Sequence, residues 1–184
     1  MYLMHPFYSS LFVFSLLLQS SLENSLYTEF VYTIVKLLLM NSPLIIIAED
    51  DADDRYLMKT ALQESGITGV VEYVENGVEL ISYLESLNKE DGVVNYPKFI
   101  LLDLNMPKMD GREVLKKIKT HEEFRKIPVI IFSTTKNQME VNRCYDLGAN
   151  SYIVKPISYD TLVTTVKQIW SYWFNTATLI ETSK

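Results

Sequence analysis

The sequence predicts an α/β fold, a doubly wound parallel sheet of five strands with helices on both faces. Three observations predict it. Short unbroken apolar runs, such as Leu44–Ala48 and Phe99–Leu102, have the pattern of strands buried on both sides. Segments with apolar residues at helical spacing follow such runs five times. Polar residues collect directly after the runs, and an open parallel sheet carries its ligand site at the carboxyl ends of its strands.

Taken in order, residues 44–48 form the first strand and residues 53–65 a helix, with Leu57, Ala61 and Leu62 inward and Gly66 as its stop. Residues 70–74 form a second strand, punctuated by Asn76-Gly77. Val78, Ile81, Leu84 and Leu87 recur at helical spacing and give a second helix. A polar loop, 88–97, leads to the third strand at 99–102. A helix over 111–119 turns Val114, Leu115 and Ile118 inward. The fourth strand is 129–132, and the next helix, 138–147, ends at Gly148. The fifth strand is 152–154, and the last helix runs from Ser158 to about Phe174.

The chain has 184 residues, enough for one domain with a substantial core. Its net charge of −6, with no basic stripe, argues against nucleic acid as a partner. Lys116, Lys117 and Lys119 read as a solvated helix face. The single cysteine, Cys144, permits no internal disulfide, fits a reducing cytoplasm, and reads as a buried small hydrophobe. The two histidines are far apart, so a structural zinc site is not expected.

Composition shifts near Asn41. Residues 1–41 carry only Glu23, Glu29 and Lys36 as charges. Their apolar runs are short for a membrane span of ~20 residues, and no Lys or Arg precedes Leu11 as a signal peptide would require. The expected organisation is an extension over 1–41, a working domain over 42–174 and a tail over 175–184. The extension is expected to lie outside the working domain, which could start at Met40. A membrane anchor and an extra packed helix are the alternatives.

The strand ends carry the chemistry. Glu49, Asp50 and Asp51 end the first strand, Asp103 the third, Ser133-Thr134 the fourth, and Lys155-Pro156 the fifth. Carboxylates packed together raise one another's pKa, and a hard divalent cation relieves this; oxygen ligands with room for water suit Mg²⁺. A carboxylate can attack phosphorus to give an acyl phosphate, whose oxygens need a metal, a cation and a hydrogen-bond donor. Mg²⁺, Lys155 and Ser133 would supply these. Asp50 or Asp51 could instead cap the first helix.

With the acidic pair Glu49-Asp50, the stretch L-L-D-L-N-M-P-K-M-D-G over 101–111, the Ser133 hydroxyl and Lys155-Pro156, residues 43–174 resemble the response-regulator receiver domains of two-component signalling. The resemblance implies a flavodoxin-like (βα)5 fold, with Asp103 as phosphoacceptor. It implies that Glu49, Asp50, Asp103 and the backbone carbonyl of Asn105 hold the metal, that Lys155 contacts the phosphoryl group, and that the Lys155–Pro156 bond is cis. It also implies a switch in which Ser133 moves toward the phosphoryl oxygens and Tyr152 rotates inward behind it. Residues 110–119, 142–156 and 170–178 are similar to the small single-domain regulators that partner bacterial phytochrome-type histidine kinases. The implied partner is a sensor histidine kinase or a histidine phosphotransferase, and the implied location is the cytoplasm.

No output module is expected after Phe174, so the effect should pass through protein contacts or phosphoryl passage. The aromatics Trp170, Tyr172 and Trp173 could form a homodimer contact through the last helix–strand–helix face, or close the core. An aspartyl-nucleophile phosphatase is the rival chemistry. Such enzymes commonly place a second acid two residues after the nucleophile, where this sequence has Asn105. That points to a phosphoacceptor with slow self-dephosphorylation rather than a turnover enzyme.

Overall fold

The structure is a computed structural model, and it describes residues 44–67, 69–87 and 96–179. The expected extension over 1–41, most of the loop 88–97 and the end of the tail lie outside the described residues. The boundary between the two units of the chain falls between Ser42 and Pro43, and everything described belongs to the second.

Among the described residues, five strands alternate with five helices. They are β1 (Leu44–Ala48), α1 (Ala52–Glu64), β2 (Val70–Val74), α2 (Gly77–Ser86), β3 (Phe99–Leu102), α3 (Gly111–Thr120), β4 (Val129–Ser133), α4 (Gln138–Asp146), β5 (Ser151–Val154) and α5 (Tyr159–Trp170). The strands form one parallel sheet in the order β2-β1-β3-β4-β5. The three central strands are buried along their whole length, while the edge strands β2 and β5 are largely half-buried. This is why the central runs are continuously apolar.

Alternation along each strand divides the core in two. Ile46, Ala48, Ile100, Leu102 and Ile131 meet Leu80 and Leu84 of α2, Val114, Leu115 and Ile118 of α3, and Cys144 of α4. On the other face Ile45, Ile47, Leu101 and Ile130 meet Met58, Ala61 and Leu62 of α1 and Leu162, Val163, Val166 and Ile169 of α5. Each helix is entered through an Asp, Asn or Ser whose side chain accepts from a backbone N–H of the first turn: Asp51, Asn76, Asp110, Asn137 and Ser158.

Several expectations shift in detail. Leu57 and Val78 are exposed, at 40% and 44%, and Met58 and Leu80 take the inward positions. The first helix begins one residue earlier than expected, at Ala52, and an apolar residue at the rim of the stripe falls outside the contact when its neighbour occupies the centre. The regular last helix stops at Trp170 and widens into a π turn over Ser171–Thr176. There Trp173 and Phe174 pack on Phe99, with ring centroids 6.1 and 5.9 Å away, and Trp170 lies on Phe174 at 3.9 Å. Trp170 and Trp173 therefore close the core, and Tyr172 is left exposed. The Lys155–Pro156 bond is trans, not cis as implied. The tertiary amide separates the isomers by only ~0.5–1 kcal/mol, so a dipeptide does not fix the choice.

The β3–α3 loop is held against the strand end by Gly111. Its N–H donates to the Leu104 carbonyl at 2.9 Å. A Cβ there would lie 2.1 Å from the Asp103 carbonyl oxygen and 2.8 Å from the Leu104 Cα. Both obstacles are backbone and cannot rotate away. Gly111→Ala should therefore cost about 1–3 kcal/mol by overpacking, seen as a lower denaturation midpoint. An unchanged midpoint would show that the loop yields freely.

Candidate functional site

In the sheet order, β1 and β3 are neighbours, yet α1 lies on one face and α3 on the other. The loops leaving their carboxyl ends diverge and open a crevice. Ala48 pairs with Leu102, so Glu49 and Asp103 emerge side by side. The Asp103 N–H donates to the Ala48 carbonyl and the Glu49 N–H to the Val74 carbonyl, both at 3.0 Å. The backbone thus fixes both acids before their side chains engage anything.

Glu49 and Asp103 are buried, and Asp50 is exposed at the mouth. One carboxylate oxygen from each of Glu49, Asp50 and Asp103 can be chosen so that the three lie within 4.8 Å of one another. The structure shows which of the two aspartates caps the first helix. Asp51 caps α1, accepting from the N–H groups of Asp53 at 2.8 Å and Asp54 at 3.0 Å; these bonds hold its carboxyl below its ordinary pKa. Asp50 is left free to face the crevice.

Lys155 arrives from β5, its N–H donating to the Ser133 carbonyl at 2.8 Å. Its Nζ lies 2.6 Å from Glu49 Oε2, 2.8 Å from Asp54 Oδ2 and 3.7 Å from Asp103 Oδ2. Burial works against the ammonium, but the bonds to Asp54 and Glu49 and the nearby negative charges outweigh it and hold its pKa above the usual lysine range. Glu49 goes the other way. Burial pushes its carboxyl up to about 7, against the opposing pull of Lys155, and the charges of Asp103 and Asp54 add to the rise. One ammonium does not neutralise this cluster. A divalent cation among Glu49, Asp50 and Asp103 fits the donor set.

Asp103 Oδ1 accepts the Leu104 N–H at 2.8 Å, which leaves Oδ2 facing Lys155. Asn105, two residues on, is exposed on the loop. Ser133 is fully buried, and its Oγ lies near the Tyr152 hydroxyl without a well-formed hydrogen bond. Tyr152, half-buried on β5, donates from its hydroxyl to the Thr135 carbonyl at 3.1 Å. The structure therefore brings Glu49, Asp50, Asp103 and Lys155 into direct proximity, and places Ser133 and Tyr152 on the adjoining strands.

Two residues escaped the sequence reading. Arg55 donates from one guanidinium nitrogen to the Glu49 and Asp50 carbonyls, both at 2.8 Å, and from the other to Glu75 at 2.8 Å. Asp54 is the second hydrogen-bonding partner of Lys155. Helical spacing from the strand-end acids was the available signal, since the first turn of α1 stands over the crevice. A cavity of about 270 Å³ adjoins it, walled by Asp54, Leu57 and Met58 of α1 and by Lys155, Pro156 and Ile157.

Comparison with known proteins agrees with this geometry. The family described as "Response regulator receiver domain" matches residues 45–167. The probable methanogenesis regulatory protein FilR2 of Methanothrix harundinacea is 37% identical over 130 residues, covering 71% of this chain and 83% of that protein. The response regulator Rcp1 of Synechocystis is 34% identical over 135 residues, covering 73% and 91%. The crystal structure of its Mn²⁺-bound form superposes with a TM-score of 0.67, covering 76% of this chain and 99% of that one at 33% identity. The phosphorylated cyanobacterial phytochrome response regulator RcpA superposes with a TM-score of 0.68, covering 76% and 99% at 38% identity.

The raised Glu49 pKa has a definite sign for stability. The folded state binds this proton more tightly than the unfolded chain, whose value is near 4.5. Its contribution is complete below that value and is lost as pH rises through about 7. Glu49→Gln stays neutral. Without divalent cation it should gain on the wild type by about 1–2 kcal/mol between roughly pH 5 and pH 8, measured by chemical denaturation. A pH-independent difference would show that Glu49 ionises normally.

Proposed function

The chain belongs to the response-regulator receiver family, and from that premise we propose that it takes a phosphoryl group from the phosphohistidine of a histidine kinase onto Asp103. The observation that carries this reading is the Asp103 carboxylate, with Oδ1 held by a backbone N–H and Oδ2 facing Lys155, beside Glu49 and Asp50. In the transfer, Asp103 Oδ2 attacks phosphorus and the P–N bond breaks. Its electron pair stays with the departing imidazole, and Asp103 becomes an acyl phosphate.

Glu49, Asp50, Asp103 and the backbone carbonyl of Asn105 would hold Mg²⁺, which neutralises the phosphoryl oxygens when bound. The Mn²⁺-bound form of Rcp1 supports a divalent cation at such a site, and the all-oxygen donor set suits Mg²⁺. Lys155 takes one phosphoryl oxygen. Ser133, whose buried Oγ makes no well-formed hydrogen bond, donates to another. Its movement opens room for Tyr152 to leave the Thr135 carbonyl and turn inward, which biases a two-state surface over α4, β5 and α5.

That face supports a protein partner or a second copy. Met139 and Tyr145 of α4 are exposed, at 76% and 49%, beside the edge strand β5. The similarity to phytochrome response regulators favours a phytochrome-type kinase as donor, and a histidine phosphotransferase has the same chemistry to offer. Asn105 in place of a second acid supports a signalling acceptor with slow self-dephosphorylation. Among the described residues no helix is long and apolar enough to cross a membrane. The buried thiol of Cys144 fits a reducing, cytoplasmic setting.

Acetyl phosphate with Mg²⁺ should give a base-labile adduct on the wild type and none on Asp103→Asn. Labelling of that variant at the wild-type level would remove Asp103 from the role. Ser133→Ala deletes a hydroxyl that makes no well-formed hydrogen bond. Its stability should stay within about 1 kcal/mol of wild type or exceed it, while phosphorylation no longer alters Tyr152, as followed by NMR. A loss of several kcal/mol would make the hydroxyl structural.

A further inference from the structure

We propose that Asp54 is a positioning residue that holds Lys155 away from Asp103 until a phosphoryl group draws it across; the proposal rests on the roles given above to Asp103 and Lys155. An ammonium has three donors. Glu49 and Asp54 take two of them, at 2.6 and 2.8 Å, and the Asp103 oxygen stands off at 3.7 Å. The group that must reach the transferred phosphoryl oxygens is therefore engaged elsewhere in the unphosphorylated protein.

The two restraining carboxylates are not equivalent. The Glu49 side chain is 7% exposed and belongs to the cation site, so a bound cation competes for it. The Asp54 side chain is 43% exposed and lies outside that group. Once a cation has engaged Glu49, Asp54 is the carboxylate left competing with the phosphoryl group for Lys155. It can be released to water without stranding a buried charge, so the contest is close and reversible. Its own position is fixed. Its N–H bonds the Asp51 cap at 3.0 Å, and the next residue, Arg55, is tied to the Glu49 and Asp50 carbonyls. The turn that carries Asp54 is thus anchored to the loop that carries the acids. Asp54 sets how strongly a phosphoryl group must pull before Lys155 crosses, and with it how completely the receiver switches.

Beryllofluoride, a phosphoryl mimic, tests this on the full chain in Mg²⁺ by calorimetric titration. Asp54→Asn should bind it about threefold to fivefold more tightly than wild type, the range expected for loss of one partly exposed ion pair. Asp54→Glu, which still reaches Lys155, should restore wild-type affinity. Asp53→Asn removes the same charge from the same helix turn without touching Lys155, and should leave affinity unchanged. Equal or weaker binding by Asp54→Asn overturns the proposal, as does a gain in Asp53→Asn of the same size. If wild type binds beryllofluoride and takes up phosphate on Asp103 while Asp54→Asn matches it, only this proposal falls. If wild type does neither, the reading of Asp103 falls first and takes this one with it.

Discussion

Glu49, Asp54 and Asp103 lie 2.6, 2.8 and 3.7 Å from a single ammonium, that of Lys155, with Asp50 at the rim of the same crevice. So much negative charge around one cation is unfavourable in a partly desolvated place. Burial raises the pKa of Glu49, and the charges of Asp103 and Asp54 add to the rise. A protein selected for stability alone would have no reason to keep this arrangement. It fits the proposed function, in which the arrival of a cation or a phosphoryl group would change which carboxylate holds the lysine.

Keeping such a cluster together requires a platform that does not relax. The three central strands provide it, since both of their faces are covered by packed aliphatic side chains. Their register delivers Glu49 and Asp103 from adjacent strands, and Lys155 follows β5 through its bond to the Ser133 carbonyl. Around the crevice the restraints are mostly to backbone. Arg55 binds two carbonyls, Asp51 receives two N–H groups, and Gly111 lets α3 approach to where any side chain would meet the Asp103 carbonyl. Backbone restraints leave the reacting carboxylates and the ammonium free to exchange partners. Side-chain restraints would have consumed them.

The architecture was legible in the sequence because a strand buried on both faces has few polar positions, and Leu44–Ala48, Phe99–Leu102 and residues 129–132 announce themselves by that lack. The acids, hydroxyl and lysine stood out because each interrupts such a run at its carboxyl end. What was not legible depended on a rotation of a helix by less than one turn. Whether Leu57 or Met58 faces the core, and whether Asp54 reaches over the crevice, are decided by where α1 begins, and that is set by the Asp51 cap. The same cap settled which of two adjacent aspartates remained for the crevice. The Trp170 and Trp173 rings were visible as a cluster, but only the π turn over Ser171–Thr176 brings Trp173 and Phe174 onto Phe99. Ridge-level packing of this kind leaves no periodic signature.

Ser133 connects the electrostatics to the surface. A buried hydroxyl without a well-formed hydrogen bond forgoes those it would make in water, and Ser133 on β4 is in that position beside Tyr152. Tyr152 on the neighbouring strand is satisfied instead by the Thr135 carbonyl, just past the end of β4. On the proposed reading, a new acceptor beside Asp103 would draw Ser133 toward it and let Tyr152 exchange one hydrogen bond for burial. Two states separated by so few contacts can differ by only a few kcal/mol, which is the range in which one charge-assisted hydrogen bond at Ser133 shifts populations substantially. In the proposed exchange, Lys155 would contribute to the same balance through its choice between Asp54 and the phosphoryl group. One hydroxyl and one ammonium would then link the chemistry proposed at β3 to the surface at β5.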